Sequence, residues 1–141
     1  MNIAFFLIPK RDVVCIQYHA TLRQALERME YHRYTAVPLI DEKGKYIGTL
    51  TEGDLLWKLK HTPMLSFENT HKIKLEEVPL SRHNEAIHIN AEMEDIIMRA
   101  MEQNFVPVVD DDDIFIGIIR RREIIEYCAN QLFYKSTNGA I

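Results

Sequence analysis

The chain has 141 residues, 47% hydrophobic and 27% charged, which is ordinary for a soluble globular protein and enough for one domain or two small intertwined units. A net charge of −4, with Arg120-Arg121-Arg122 as the one basic run, excludes a general nucleic-acid binder and points to a small, local anion partner. No stretch approaches the roughly 18 apolar residues of a membrane span, and Cys15 and Cys128 form no CxxC pattern, so a reducing cytoplasm and two core thiols are expected.

In chain order, "MNIAFFLIPK" has an apolar run whose charges follow rather than precede it, so no signal peptide is read. "VVCIQY" predicts a short strand. Leu22, Ala25, Leu26 and Met29 then recur at i, i+3, i+4 and i+7, the period of a helix, with Thr21 and Gln24 as a capping box at its start. "AVPLID" and "YIGTLT" predict a hairpin around the turn "EKGK". A second helix starts after Thr51, with Leu55, Leu56 and Leu59 as its inward face.

The same order then returns. "EAIHIN" is a strand, and Met93, Ile96, Ile97 and Ala100 repeat the helical spacing. "FVPVVD" and "FIGIIR" flank an all-acidic turn, and Ile124, Ile125 and Cys128 head the last helix. "YTAVPLID" matches "QNFVPVVD" at an offset of 69, which also puts Gly48 on Gly117 and Asp54 on Glu123; upstream the offset becomes 71, Ile16 on Ile87. The organisation is therefore repeat 1 over residues 5–62, a linker over 63–75, repeat 2 over 76–132 and a tail over 133–141. A βαββα unit leaves one sheet face bare. Tandem βαββα repeats packed sheet to sheet, an α+β fold with pseudo-twofold symmetry and a cleft on each side, cover both faces.

Thr51-Glu52-Gly53-Asp54 is a capping box, and the start of a helix favours a phosphate. Gly53 in its first turn costs about 1 kcal/mol relative to alanine but permits close approach. In the second copy three arginines stand where cations are unfavourable by roughly 0.3–1 kcal/mol each. A bound phosphate offsets that cost; extension into water, or pairing with the acidic hairpin Asp110–Asp113, is the alternative.

The pattern h-x-V-P-h-h-D, a hairpin, then G-h-h-[ST]-x-x-D-L, carried by "TAVPLIDEKGKYIGTLTEGDLL", resembles a cystathionine-β-synthase (CBS) domain. From Pro9 to about Leu132 the chain resembles a CBS pair, or Bateman module, of the small stand-alone kind found in bacteria. That resemblance implies a non-catalytic module sensing AMP, ADP or ATP; a cyclic di-AMP receptor and a ligand-free dimerisation module are the alternatives. It implies Thr51 on phosphate and Asp54 on the ribose diol, a role in which Asp54→Asn barely alters stability. Val14, Cys15 and Ile16, with Tyr34, Thr35, Ala36, Val37 and Pro38, are implied as the walls around the base. Arg121 and Arg122 are expected to face a nucleotide held by the first repeat, with Arg120 beside them. A second, less suited cleft is assigned Ile87, His88, Asn104, Phe105, Val106, Arg120 and Glu123.

A flat homodimer with Trp57 at its interface and an unidentified effector protein are implied as partners, with no cofactor required. No Ser-His-Asp or Cys-His set is evident, and the six histidines (19, 32, 61, 71, 83 and 88) form no H-x-x-x-H pair, so neither catalysis nor a metal site is expected.

Overall fold

Both repeats build the expected order of elements, with first strands shorter than predicted, in a computed structural model that describes residues 3–81 and 84–139. In the first, β2 (Ile16–Gln17) runs parallel to β3 (Ala36–Ile40), which pairs antiparallel with β4 (Tyr46–Thr51). Helix α1 (Leu22–His32) connects β2 to β3 and buries Leu22, Ala25 and Met29. Its capping box is complete, with Thr21 Oγ1 accepting from the Gln24 amide at 3.1 Å and Gln24 Oε1 from the Thr21 amide at 2.9 Å. Helix α2 (Glu52–His61) follows β4.

The second repeat copies this with β5 (Ile87–His88), α3 (Met93–Ala100), β6 (Phe105–Val109), β7 (Phe115–Arg120) and α4 (Arg121–Gly139). Even the irregularities repeat, since the hairpin register shifts at Leu39/Ile40 and again at Val108/Val109. Each hairpin turn is closed by one aspartate: Asp41 accepts from the Lys43 and Lys45 amides, and Asp110 from those of Asp112 and Ile114. The acidic run is thus a turn, and no arginine pairs with it among the described residues. The sheets meet where Lys45 bridges Ile114 and the Tyr46 and Phe115 rings stack at 6.1 Å.

Two segments cross between the repeats, which no sequence pattern had predicted. Strand β1 (Ile8–Pro9) pairs with β7 of the second repeat, Ile8 opposite Ile118 and Pro9 opposite Gly117, and Ile3 is buried in that repeat's core. Reciprocally, Leu75 and Val78 are buried in the first repeat's core, with Leu65 and Ile73 packed against it, so the expected linker, though mostly exposed, pins part of its length into that core. Each crossing passes over a glycine. A Cβ on Gly117 would lie 2.2 Å from the Ile8 carbonyl oxygen, and one on Gly48 would lie 2.8 Å from Leu80 Cδ1. The glycines matched between the repeats therefore lie beneath the segment that leads into the opposite repeat.

Other boundaries also differ. Helix α4 runs on to Gly139, through most of what was expected as a tail after residue 132, while residues 1–2, 82–83 (His83 among them) and 140–141 lie outside the described residues. Leu56 and Ile125, expected inward, are exposed; only Leu55 and Ile124 are buried, because one residue along a helix turns the side chain by about 100°. Both cysteines are free thiols and only half-buried. Trp57 is half exposed. No helix among the described residues is long and apolar enough to cross a membrane.

Candidate functional site

Two adjoining cavities open along the seam between the repeats. The larger, about 640 Å³, has Val13, Val14, Tyr34, Ala36 and Pro38 on the first repeat's side, with Ile118, Arg120 and Arg122 opposite. The smaller, about 340 Å³, is bounded by Thr35, Thr49, Thr51 and Gly53 of the first repeat and by Ser81 and Asn84 on the approach to the second. Ala36, Asn104 and Phe105 line both and form their common wall.

The expected single site is therefore divided. Val14, Tyr34 and Pro38 share a cavity with the arginines, whereas Thr35 and Thr51 belong to the neighbouring one. The cause is the pseudo-twofold arrangement. The start of α4 faces the chain entering β2, and the start of α2 faces the chain entering β5. Each helix start is tied to the residue before its own hairpin: the Glu52 amide donates to the Thr35 carbonyl at 3.0 Å and the Arg121 amide to that of Asn104 at 2.9 Å.

At α2 the capping box forms as read from the sequence. Thr51 Oγ1 accepts from the Asp54 amide at 3.2 Å, and Asp54 Oδ2 from the Thr51 amide at 2.9 Å. The other carboxylate oxygen, Oδ1, accepts from both the amide and the hydroxyl of Ser81, at 2.9 and 2.7 Å. Asp54 is 2% exposed and lines neither seam cavity. The carboxylate expected to meet a ribose is thus turned from both seam cavities, with both oxygens already engaged by Thr51 and Ser81. Gly53 does line the smaller cavity, and its first-turn amide has no intrahelical acceptor. A Cβ there would approach nothing within the protein closer than 3.7 Å, so internal packing does not demand the glycine.

The three arginines separate. Arg120 pairs with both oxygens of Glu123, its Nε at 3.0 and 3.1 Å, an ionic counterpart of the Thr51–Asp54 box. Burial, the largest single influence, pushes the Glu123 carboxyl up, but the Arg120 hydrogen bond, a backbone hydrogen bond and the charges of Arg120 and Arg122 together hold the group below its usual range. Arg121 turns away from the cleft, correcting the expectation that it faces a nucleotide. Its Nε donates to the carbonyls of Ala100 at 2.7 Å and Gln103 at 3.1 Å, capping the end of α3. Arg122, one residue further round the helix, returns to the larger cavity and is exposed. Arg121→Ala is accordingly expected to lower stability by about 1–3 kcal/mol in urea unfolding, while Arg122→Ala leaves the midpoint nearly unmoved. Equal midpoints in the two variants would contradict the division of roles.

Around the base walls, strand alternation decides. Ala36 and Pro38 face the cavity, but Val37 and Ile16 are core residues at 1% and 2% exposure. Cys15 lines neither cavity; its carbonyl accepts from Arg28 Nη1 at 3.1 Å, and burial pushes its thiol up to about 11. Tyr34 is exposed to the larger cavity and stacks on His32 with centroids 5.3 Å apart. Of the residues assigned to a second cleft, Ile87 and Val106 are core, and His88 lies 3.9 Å from Asp113 at the hairpin. Asn104 and Phe105 instead serve both cavities. Ser81, Asn84 and Ile8 carry no motif, and the signal for them lay in the upstream offset of 71, which continued backwards sets Ile8-Pro9 on Pro79-Leu80. Among the described residues no group of three or more His, Cys, Asp or Glu side chains is arranged to hold a metal ion.

A sequence model of the CBS domain matches residues 7–61 and again 75–130. The chain belongs to the CBS-domain family. This CBS pair is 26% identical over 121 residues to cyclic di-AMP receptor B of Bacillus subtilis strain 168, an alignment covering 86% of this chain and 82% of the receptor. Its fold superposes on CbpB in complex with c-di-AMP with a TM-score of 0.82 at 24% identity, covering 99% of this chain and 91% of that one. The fold of CBSX2 in complex with AMP gives 0.70 at 20% identity, over 92% and 96% of the two chains. The CBS pair is thus a regulatory module by family, similar to proteins that bind adenine nucleotides.

Proposed function

We propose that this CBS pair is a non-catalytic sensor that takes up an adenine nucleotide along the seam, with a cyclic dinucleotide, cyclic di-AMP, as the ligand the geometry favours. The observation that carries this reading is the bipartite cleft. One half offers apolar and aromatic walls at Val14, Tyr34 and Pro38 beside Arg120 and Arg122; the other, across Phe105, offers hydroxyls and a helix start. A purine suits the former walls, an arginine fork suits a bridging phosphate, and a two-part ligand suits a two-part cavity. The hold of Ser81 on Asp54 removes the acceptor that would favour a mononucleotide ribose. The likeness to a receptor described as binding cyclic di-AMP supports the same choice.

A mononucleotide (AMP, ADP or ATP) is the second reading, favoured by Thr51 and the Gly53 amide in the smaller cavity, where a helix start suits a phosphate. In either case, binding acts by favouring one arrangement of the repeats, or of the subunits of a homodimer, for a cytoplasmic effector protein to read. Calorimetric titration tests the ligand, with light scattering on the same samples for the dimer. Cyclic di-AMP is expected to bind more tightly than AMP, ADP or ATP, and Arg122→Ala to weaken it about tenfold to hundredfold. Binding of none of the four nucleotides would leave the ligand-free dimerisation module as the surviving alternative.

A further inference from the structure

Ser81 belongs to neither repeat's motif, yet two of the three hydrogen bonds that reach the buried Asp54 carboxylate come from it. Ser81 is itself exposed and lines the smaller seam cavity on one side. On its other side it borders a hollow walled by Trp57, His61 and Leu80, which Asp54 also lines. It is a partition one residue thick. The neighbouring Leu80 packs over Gly48 and fixes the partition to the first repeat's sheet.

We propose that Ser81 sets the ligand selectivity of the smaller cavity by occupying Asp54, so that nucleotides relying on a free 2′,3′-diol are disfavoured there. The inference rests on the reading that the seam takes adenine nucleotides. An ionised carboxylate is acceptor-only, and two adjacent hydroxyls are natural donors to it. To reach Oδ1, however, a ribose diol must first displace the Ser81 hydroxyl, exchanging one charge-assisted bond for another with little gain. A cyclic dinucleotide, with its 3′ oxygens esterified, has no such diol and gives up nothing. Ser81 acts through Asp54 and is therefore a positioning residue.

Calorimetry with AMP and with 2′,3′-dideoxy-AMP on the wild type, Ser81→Ala and Ser81→Thr tests this. Ser81→Ala keeps the amide bond but frees a lone pair of Oδ1, and should bind AMP about tenfold or more tightly than the wild type does. The dideoxy nucleotide should show no gain, and Ser81→Thr, which restores the hydroxyl, should return to wild-type affinity. Ser81→Cys, whose thiol is a weak donor, carries the same expectation as the alanine variant and stands in if that variant does not fold. Equal AMP affinity in the wild type and the hydroxyl-less variants, undetectable binding in both included, overturns the proposal, as does an equal gain for the dideoxy nucleotide. Cyclic di-AMP, ADP and ATP titrated alongside report on the functional reading separately: binding of none of the four nucleotides to the wild type sinks that reading, whereas the AMP comparison between variants decides only the role of Ser81.

Discussion

Replacing Asp54 with alanine is expected to lower the stability of the unliganded protein by about 3–5 kcal/mol, out of the roughly 5–15 kcal/mol of a typical domain. Three donors converge on this one buried carboxylate: the Thr51 amide, the Ser81 amide and the Ser81 hydroxyl. Alanine removes the Asp54 half of the capping box and strands the Thr51 and Ser81 backbone donors together. The gentler Asp54→Asn, which from sequence should hardly matter, is expected to cost about 1–3 kcal/mol. An amide has a single acceptor oxygen, so one set of donors must face its NH2 group. Urea unfolding of both variants checks this, and an alanine variant within about 1 kcal/mol of the wild type would mean that water readily replaces these bonds.

Gly117→Ala should be comparably damaging, at roughly 3 kcal/mol or more. The backbone there has φ of +157°, a region L side chains rarely adopt, and the new Cβ would stand 2.2 Å from a backbone oxygen, that of Ile8. A carbonyl in a paired strand cannot swing aside as a side chain can, so β1 must lift off the edge of the second sheet. Gly48→Ala makes the informative comparison. Its clash is with Leu80 Cδ1, the tip of a flexible side chain, so the cost should be nearer 1–2 kcal/mol. Equal, small losses in both variants would show that β1 is held loosely. Hydrogen exchange at the Ile118 amide would report its detachment directly.

What could be read from the residues was what is local. Helical spacing found α1 and α3, paired Thr and Gln or Asp found two capping boxes, and the Val-Pro repeat found both hairpins. The crossings were not legible because a strand of two residues, Ile8–Pro9, has no periodicity to detect. The division of the site was hidden for a related reason. Thr51 and Tyr34 lie on one repeat, and only the pseudo-twofold packing decides that each faces a different segment of chain. Three adjacent arginines read as one basic patch, but a helix sends Arg121 to the α3 carbonyls while Arg120 and Arg122 remain at the cleft.

The exchange of segments also governs how the protein comes into being. Ile8 cannot find Ile118 until the hairpin of the second repeat has left the ribosome, and the first repeat cannot close its core until Leu75 and Val78 have followed it. Neither repeat is complete on its own during synthesis, and the edge of β7 stays open until β1 covers it. Such long-range pairing slows folding and exposes strand edges meanwhile. Once the chain has closed, the same exchange binds the repeats into a single cooperative unit, so that the seam cannot be strained on one side without being felt in both cores.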